Sequence, residues 1–354
     1  MLRLVPPGFI RLGQVVPGSL DVTVGGAEAN VCGSLASLGY RTRFLTALPR
    51  HTLADGVISS LRAMGVDTSF ILRRDDGRLG LYFVEMGANH RGANVLYDRA
   101  GSAVALAAPE EYQFEAALEG VTRVHVTGIT PALSERAFQS TLLLVRNAAA
   151  KRCMISCDIN FRAKLWGWRQ GVPAESLARE CMSEILPFVD LVFANEEDAG
   201  KVLGIWAENA DVDQGRIDAA SYVDVVRRIH ERFPQTSLVA VTLRQSVSAT
   251  HNNWGALLLD ARTGQTHFAP LGRDGRYSPY EIRNIVDRLG AGDSFVAALV
   301  YALDTPRFAR PAMAVQFATA ASCLKHSIMG DVNRVTVEEI EALMTGSCAG
   351  RVQR

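Results

Sequence analysis

From about residue 120 onward, short continuous apolar runs alternate with stretches of helical period. The runs are Val124-His125-Val126-Thr127, Cys153 to Asp158, Leu191-Val192-Phe193-Ala194 and Leu238-Val239-Ala240-Val241-Thr242. Between them, Ser134 to Ala150, the stretch around Ser176 to Ile185, and Tyr222 to Arg232 read as helices, the first opened by Ser134 as an N-cap. An apolar run without strict alternation suits a strand covered on both faces. Strands and helices taking turns predict a mostly parallel central sheet flanked by helices, an open α/β sandwich.

Two stretches break that rhythm. Ser19 to Val24, and Leu79 to Glu85 followed by Asn94 to Tyr97, look like half-buried strands joined by Gly-containing turns. They predict a small β lid from about residues 10–24 and 79–99, standing off the main sheet. Trp206 to Asp218 (WAENADVDQGRID) is polar and acidic and reads as a surface insertion. With no internal repeat or low-complexity tract, one domain over residues 1–354 is expected.

Composition narrows the function classes. Hydrophobic residues make up 48% of the 354 and charged residues 21%, enough to bury a sizeable core. Lys+Arg and Asp+Glu are both 37, so no net charge favours nucleic acid or an anionic membrane as partner. No run approaches the roughly 20 apolar residues of a membrane helix. Met1 to Val5 leads straight into Pro6-Pro7, unlike the apolar core of a signal peptide. The six cysteines, at 32, 153, 157, 181, 323 and 348, lack zinc-ligand spacing and read as buried thiols in a reducing cytoplasm.

The strongest chemical signal is Leu289-Gly290-Ala291-Gly292-Asp293-Ser294-Phe295, leading into the apolar stretch Val296 to Leu303. Gly, a small residue, Gly and a helix start leave backbone N–H groups free at a positive dipole end, an anion hole suited to phosphates. An Asp beside it can take the proton of an attacking hydroxyl. Taken alone, the segment fits equally a Gly turn with Asp293 as a plain N-cap. It lacks the third Gly of a dinucleotide fingerprint. Gly292-Asp293-Ser294-Phe295 also resembles the GDSL block of Ser hydrolases, but it lies late in the chain, and the only later His is His326.

Three elements in order carry a more specific resemblance. Gly25-Gly26-Ala27-Glu28-Ala29-Asn30-Val31, Asn195-Glu196-Glu197-Asp198 and Gly290-Ala291-Gly292-Asp293 resemble the N-terminal, Asn-x-x-Glu and C-terminal signatures of the ribokinase-like (PfkB) carbohydrate kinases. Arg91, Asn94, Tyr97-Asp98-Arg99, Ser102-Ala103, Asp158-Ile159-Asn160-Phe161-Arg162 and Cys323 to His326 with Gly330-Asp331 are similar to the 2-keto-3-deoxygluconate kinase branch.

The resemblance implies ATP-dependent phosphorylation of 2-keto-3-deoxy-D-gluconate at its 6-hydroxyl. Asp293 is then the base, and Gly290, Ala291 and Gly292 stabilise the transferring group. Gly25, Gly26, Asn30, Tyr97, Arg99, Asn160, Arg162 and Asp331 are expected at the sugar. Asn195, Thr242, Arg244, Gly290 and Gly292 are expected at the nucleotide, and Asn195 with Asp198 near Mg²⁺, through water given the short Asp side chain. Arg99 and Arg162 also carry a reading of their own, since guanidinium forks suit a carboxylate. The partners expected are a sugar acid, ATP and a second copy of the chain.

Two departures accompany the resemblance. Where these kinases commonly carry a Leu-Gly-x-x-Gly turn, the chain reads Thr242-Leu243-Arg244-Gln245-Ser246, with Arg244 able to reach phosphate. These kinases also begin with a strand ending in Gly-Glu or Gly-Asp, ahead of the segment starting here at Met1. The expectation is a true start upstream of Met1. A fructokinase or other neutral-sugar kinase, and a sugar-binding protein without catalysis, are the alternative readings.

Overall fold

The computed structural model describes residues 1–195, 197–207 and 218–346. Most of the acidic stretch 206–218, together with Glu196 and Cys348, lies outside the described residues.

The chain opens in a four-stranded sheet. β1 (Leu2–Val5) pairs antiparallel with β2 (Asp21–Val24) and parallel with a later strand, β7. Between them come two short parallel ladders, β3 (Thr42–Arg43) with β5 (Val66–Asp67) and β4 (Ala47–Pro49) with β6 (Leu72–Arg74). β7 (Leu81–Glu85) and β8 (Asn94–Asp98) complete the sheet in the order β2-β1-β7-β8. Leu2–Val5, not read as a strand from the sequence, is therefore central to the lid. Its register sets Arg3, Tyr82 and Tyr97 in one row across three strands, all on one face by the period-2 rule.

The main sheet has seven strands. β9 (Arg123–Thr127), β10 (Met154–Asp158), β11 (Leu191–Ala194) and β12 (Leu238–Ser248) lie side by side and parallel, as the apolar runs predict. β13 (His251–Asp260) then turns back antiparallel to β12, and β14 (Gln265–Ala269) and β15 (Tyr280–Arg283) pair antiparallel with it. Six of the seven strands therefore run in one direction, as expected of a mostly parallel sheet, and β13 alone is reversed. The sequence hides the hairpin because its turn, Ala249-Thr250, lacks the Gly or Asn that marks such a connection.

Two helical layers cover the sheet. Val192, Ala194, Val239 and Val241 join the core built with the helices Glu135–Ala150, Ala174–Ile185 and Tyr222–Arg232. Their strand neighbours Leu191, Phe193, Leu238 and Ala240 join the opposite core, with Ala27–Ser37, Ala291–Asp304 and Pro311–Lys325. Both sets are apolar because both faces are covered, which is why the runs do not alternate. Each such Val or Leu contributes about 1.5–3 kcal/mol relative to exposure. Ser134 caps the first of these helices, its Oγ accepting from Ala137 N at 3.0 Å. The core thereby fixes where the strands end.

Candidate active site

Ligands of open α/β sheets bind beyond the carboxyl ends of the parallel strands. Here the end of β10 delivers Asp158 and Asn160, and the end of β11 delivers Asn195. A cleft of about 220 Å³ lies over them, roofed by Tyr82, Tyr97 and Arg99 of the lid. Gly26, Asn30, Asn160, Arg162, Asn195, Asp198, Thr242, Arg244, Gly290, Ala291, Gly292, Asp293 and Asp331 all line it as well. Of the residues expected at the sugar, the nucleotide or the metal, Gly25 alone is not part of this surface. It lies behind the wall, where a Cβ would fall 2.4 Å from the Tyr82 hydroxyl.

The Gly290 turn is dictated by geometry. Gly290 has φ +78°, and a Cβ there would lie 1.9 Å from the carbonyl oxygen of Asp331, so only glycine fits. It starts the Ala291–Asp304 helix, whose first N–H groups have no partner inside the helix and face the cleft. Asp287 braces the turn from below: its Oδ1 accepts from Leu289 N at 3.1 Å and its Oδ2 from Gly330 N at 3.0 Å.

Asp293 stands at the first turn of that helix. Its Oδ2 accepts from Asn30 Nδ2 at 2.7 Å. Burial outweighs that hydrogen bond and, with the Asp331 charge nearby, raises its pKa to about 7. A carboxylate so tuned is half-protonated near neutrality, the range in which a general base works best.

The lid reaches the same spot through a buried ion cluster. Arg3 Nη1 is 2.6 Å from both Asp287 Oδ2 and Asp331 Oδ1, with Arg3 1% exposed. Tyr82 donates its hydroxyl to Asp331 Oδ2. Asp331 therefore joins the lid to the Gly290 turn and also lines the cleft.

The two arginines expected at a carboxylate are differently placed from ordinary surface ion pairs. No carboxylate lies within 4 Å of Arg99 or Arg162 among the described residues, and Arg162 donates only to its neighbour's carbonyl, Phe161 O, at 2.8 Å. Burial pulls the Arg99 pKa below its ordinary value. Asn30 Oδ1 and Asn160 Oδ1, both buried, have no hydrogen-bond partner. Asn160 holds a left-handed φ of +42°, which Asn tolerates better than most residues, and its Nδ2 donates to Asp158 Oδ2 at 3.2 Å. Guanidinium donors and orphaned acceptors thus line one cleft, a pattern that fits a hydroxylated anion.

Asp198 is committed elsewhere. Its Oδ1 accepts from Phe161 N at 3.0 Å and its Oδ2 from Asn195 N at 3.1 Å, fastening the end of β10 to the end of β11. Asn195 Oδ1 in turn accepts from the N–H groups of Glu197 and Asp198. Asp158 is the freer carboxylate, and burial beside Asp198 and Asp293 pushes its pKa well up.

On the far side of the cleft the sequence reading missed Arg288. It donates to Asn252 Oδ1 at 3.0 Å, while its own Nε and the Asn252 Nδ2 are buried without partners. Burial and the nearby Arg244 lower its pKa. Two guanidiniums thus lie near each other on the wall that also carries the Gly290 turn, chemistry that suits a polyanion. The available signal was its place two residues before Gly290. Arg3, Tyr82 and Asp287 gave no local signal, because their partners lie far away in the chain.

The profile of pfkB family carbohydrate kinases matches residues 12–333. The chain belongs to that family. This carbohydrate kinase is 32% identical over 350 residues to the 2-dehydro-3-deoxygalactonokinase of Haloferax volcanii, covering 99% of this chain and 96% of the relative. It superimposes with TM-score 0.87 on the crystal structure of 2-dehydro-3-deoxygluconokinase from Thermotoga maritima, at 40% identity, covering 98% and 97% of the two chains. A PfkB family carbohydrate kinase from Listeria grayi matches with TM-score 0.83 at 31% identity, again covering 98% and 97%.

Proposed function

We propose that the protein phosphorylates a 2-keto-3-deoxy sugar acid, 2-keto-3-deoxy-D-gluconate or its galactose-configured epimer, at the terminal hydroxyl with ATP. The observation that carries this reading is the pair Arg99 and Arg162, facing the same cleft as Asp293 without a carboxylate of their own. The names of the relatives from Haloferax volcanii and Thermotoga maritima agree with it.

In this reading the sugar lies beneath the lid, its carboxylate held by Arg99 and Arg162 and its hydroxyls by Asn30, Asn160 and Tyr97. Asp293 takes the proton as the hydroxyl oxygen bonds to the γ-phosphorus, and the bond from that phosphorus to the ADP oxygen breaks. The N–H groups of the Gly290 turn stabilise the charge on the phosphoryl oxygens. Thr242, Asn195, Arg244 and Arg288 hold the nucleotide phosphates. Mg²⁺ arriving with ATP needs only one or two protein oxygens. No three metal-ligating carboxylates, imidazoles or thiols converge among the described residues. Asp158, crowded by two other carboxylates, and the orphaned Asn160 Oδ1 suit such an ion, which would neutralise charge on the phosphates. Asp198, by contrast, serves the backbone.

The test is ADP release over a panel of sugar acids and neutral ketoses. Turnover is expected with 2-keto-3-deoxy acids, with Arg99→Ala and Arg162→Ala each raising KM for the acid tenfold or more, as loss of a charged hydrogen bond of about 1.5–3 kcal/mol requires. Preference for a neutral ketose, insensitive to both changes, would refute the acid and favour a fructokinase. No turnover on the whole panel would favour a sugar-binding protein.

The lid's outer face supports a dimer. Val22, Leu4, Phe83 and Leu96 form a row across four strands, with Val22 54% and Leu96 52% exposed. Light scattering at twice the chain mass, returning to the monomer in Leu96→Asp, is the expected outcome; a monomeric wild type would exclude it. No helix among the described residues is long and apolar enough to cross a membrane.

A further inference from the structure

No side chain of the segment Cys323 to His326 takes part in the phosphoryl transfer described above, yet Lys325 is 0% exposed. Lys325 ends the helix Pro311–Lys325, where the negative end of the helix dipole favours a cation. Its ammonium donates to Ile328 O at 3.0 Å and to Asp287 O at 3.4 Å. Both acceptors are main-chain carbonyls, and they belong to the two segments that frame the Gly290 turn. Asp287 braces that turn through Leu289 N. Ile328 leads into Asp331, whose carbonyl oxygen lies against Gly290, 1.9 Å from where a Cβ would stand. The two segments are also zipped to each other. Val286 N and Asp287 N donate to His326 O at 2.9 and 3.3 Å, and Gly330 N donates to Asp287 Oδ2 at 3.0 Å.

Packing alone does not call for a charge at this place. An ammonium taken out of water is costly, and Leu or Met would fill the same space without that cost. Burial lowers the Lys325 pKa, and the charges of Asp287 and Asp331 oppose it. The same two carboxylates hold Arg3, so two cations and two anions balance beside the turn. Lysine suits the task better than arginine, because a point charge with three donors can reach carbonyls that approach from different directions. Charged donors also hold their acceptors about twice as strongly as neutral ones.

We propose that Lys325 is a positioning residue for phosphoryl transfer. Its ammonium ties Asp287 to Ile328. The tie keeps the Asp331 carbonyl against Gly290, and with it the first N–H groups of the Ala291–Asp304 helix at the transferring phosphoryl group. Without it, residues 326–331 are free to shift against residues 285–290. A shift of about 1 Å in groups that stabilise a transition state costs on the order of 10²-fold in rate. The sugar is held elsewhere, by Arg99 and Arg162, so the loss falls on kcat.

The proposal rests on phosphoryl transfer at Asp293 and the Gly290 turn, not on which sugar accepts the phosphate. Each variant is therefore compared with the unaltered protein on the same sugar. Lys325→Met keeps the apolar stem and removes the donors; its kcat is expected to fall at least tenfold, with KM for the sugar unchanged. Lys325→Ala deletes the atoms of one propylamine molecule. Added propylamine is expected to restore part of its kcat, and propanol at the same concentration none. A Lys325→Met kcat within twofold of the unaltered protein overturns the proposal, and so does a KM that rises as steeply as kcat falls. Equal recovery with amine and alcohol, or none with either, reduces Lys325 to packing and overturns it too. If neither variant folds, Lys325 serves stability and the proposal falls. No turnover by the unaltered protein on any sugar sinks the kinase reading, and this one with it.

Discussion

Asp293 sits between opposing pulls, and their balance sets its chemistry. Burial and the Asp331 charge push its pKa up while the Asn30 amide and Arg162 pull it down, leaving it at about 7. A base that must be ionised then loses activity below that value, so kcat/KM is expected to fall tenfold per pH unit under about pH 7. Asp293→Asn keeps the acceptor for Asn30 Nδ2 and is expected to lower kcat by about 10²–10⁴-fold with the circular dichroism spectrum unchanged. Turnover near the wild-type rate would remove it from the mechanism. Arg288 offers a separate check on the nucleotide side. Arg288→Gln keeps a donor toward Asn252 and removes the charge. It is expected to raise KM for ATP about tenfold and leave KM for the sugar unchanged; an equal rise in both would mean that Arg288 merely shapes the cleft.

Elements, not single residues, hold these groups in place. The Gly290 turn is pinned by Asp287 from below and by the Asp331 carbonyl alongside, and a side chain at position 290 has nowhere to go. Gly290→Ala carries about 1–2 kcal/mol of left-handed strain before the clash is counted. A lower melting temperature together with a lower kcat is expected, because the helix start must shift to relieve the contact. A variant with wild-type melting and kcat would show the turn to be more pliable than its packing. Sequence conveyed this element well, since Gly-x-Gly-Asp before an apolar stretch is local information. The parallel strands β9 to β12 were equally legible, each a short run covered on both faces. The antiparallel return of β13 was not, because nothing in Ala249-Thr250 signals a hairpin. The lid strand Leu2–Val5 was missed for a related reason: four residues before two prolines show too little alternation to read.

At the scale of the molecule, the least legible features are those assembled from both ends of the chain. Arg3 meets Asp287 and Asp331, and Asn30 meets Asp293, so lid, helix and the Gly290 turn depend on one another across nearly the full sequence. No local pattern announces such partners. Their collective cost is electrostatic. Asp158, Asp198 and Asp293 all have raised pKa values, with burial the first cause in each. A carboxylate raised on folding contributes stability that is full below its unfolded pKa, about 4, and is lost as pH rises through its folded pKa. For Asp293 that window runs from about pH 4 to about 7. Removing its charge should therefore stabilise the protein only at the alkaline end. The stability difference between Asp293→Asn and wild type, measured by urea unfolding, is expected near zero at pH 4. It should grow through pH 7 to about 2–4 kcal/mol, the upper figure being reduced by solvent at the open edge of the cleft. Other carboxylates titrate alike in both proteins, so the difference isolates this group. A difference that stays constant from pH 4 to 8 would mean that Asp293 is ionised without strain, and the neutral-pH limb of its activity would then need another owner.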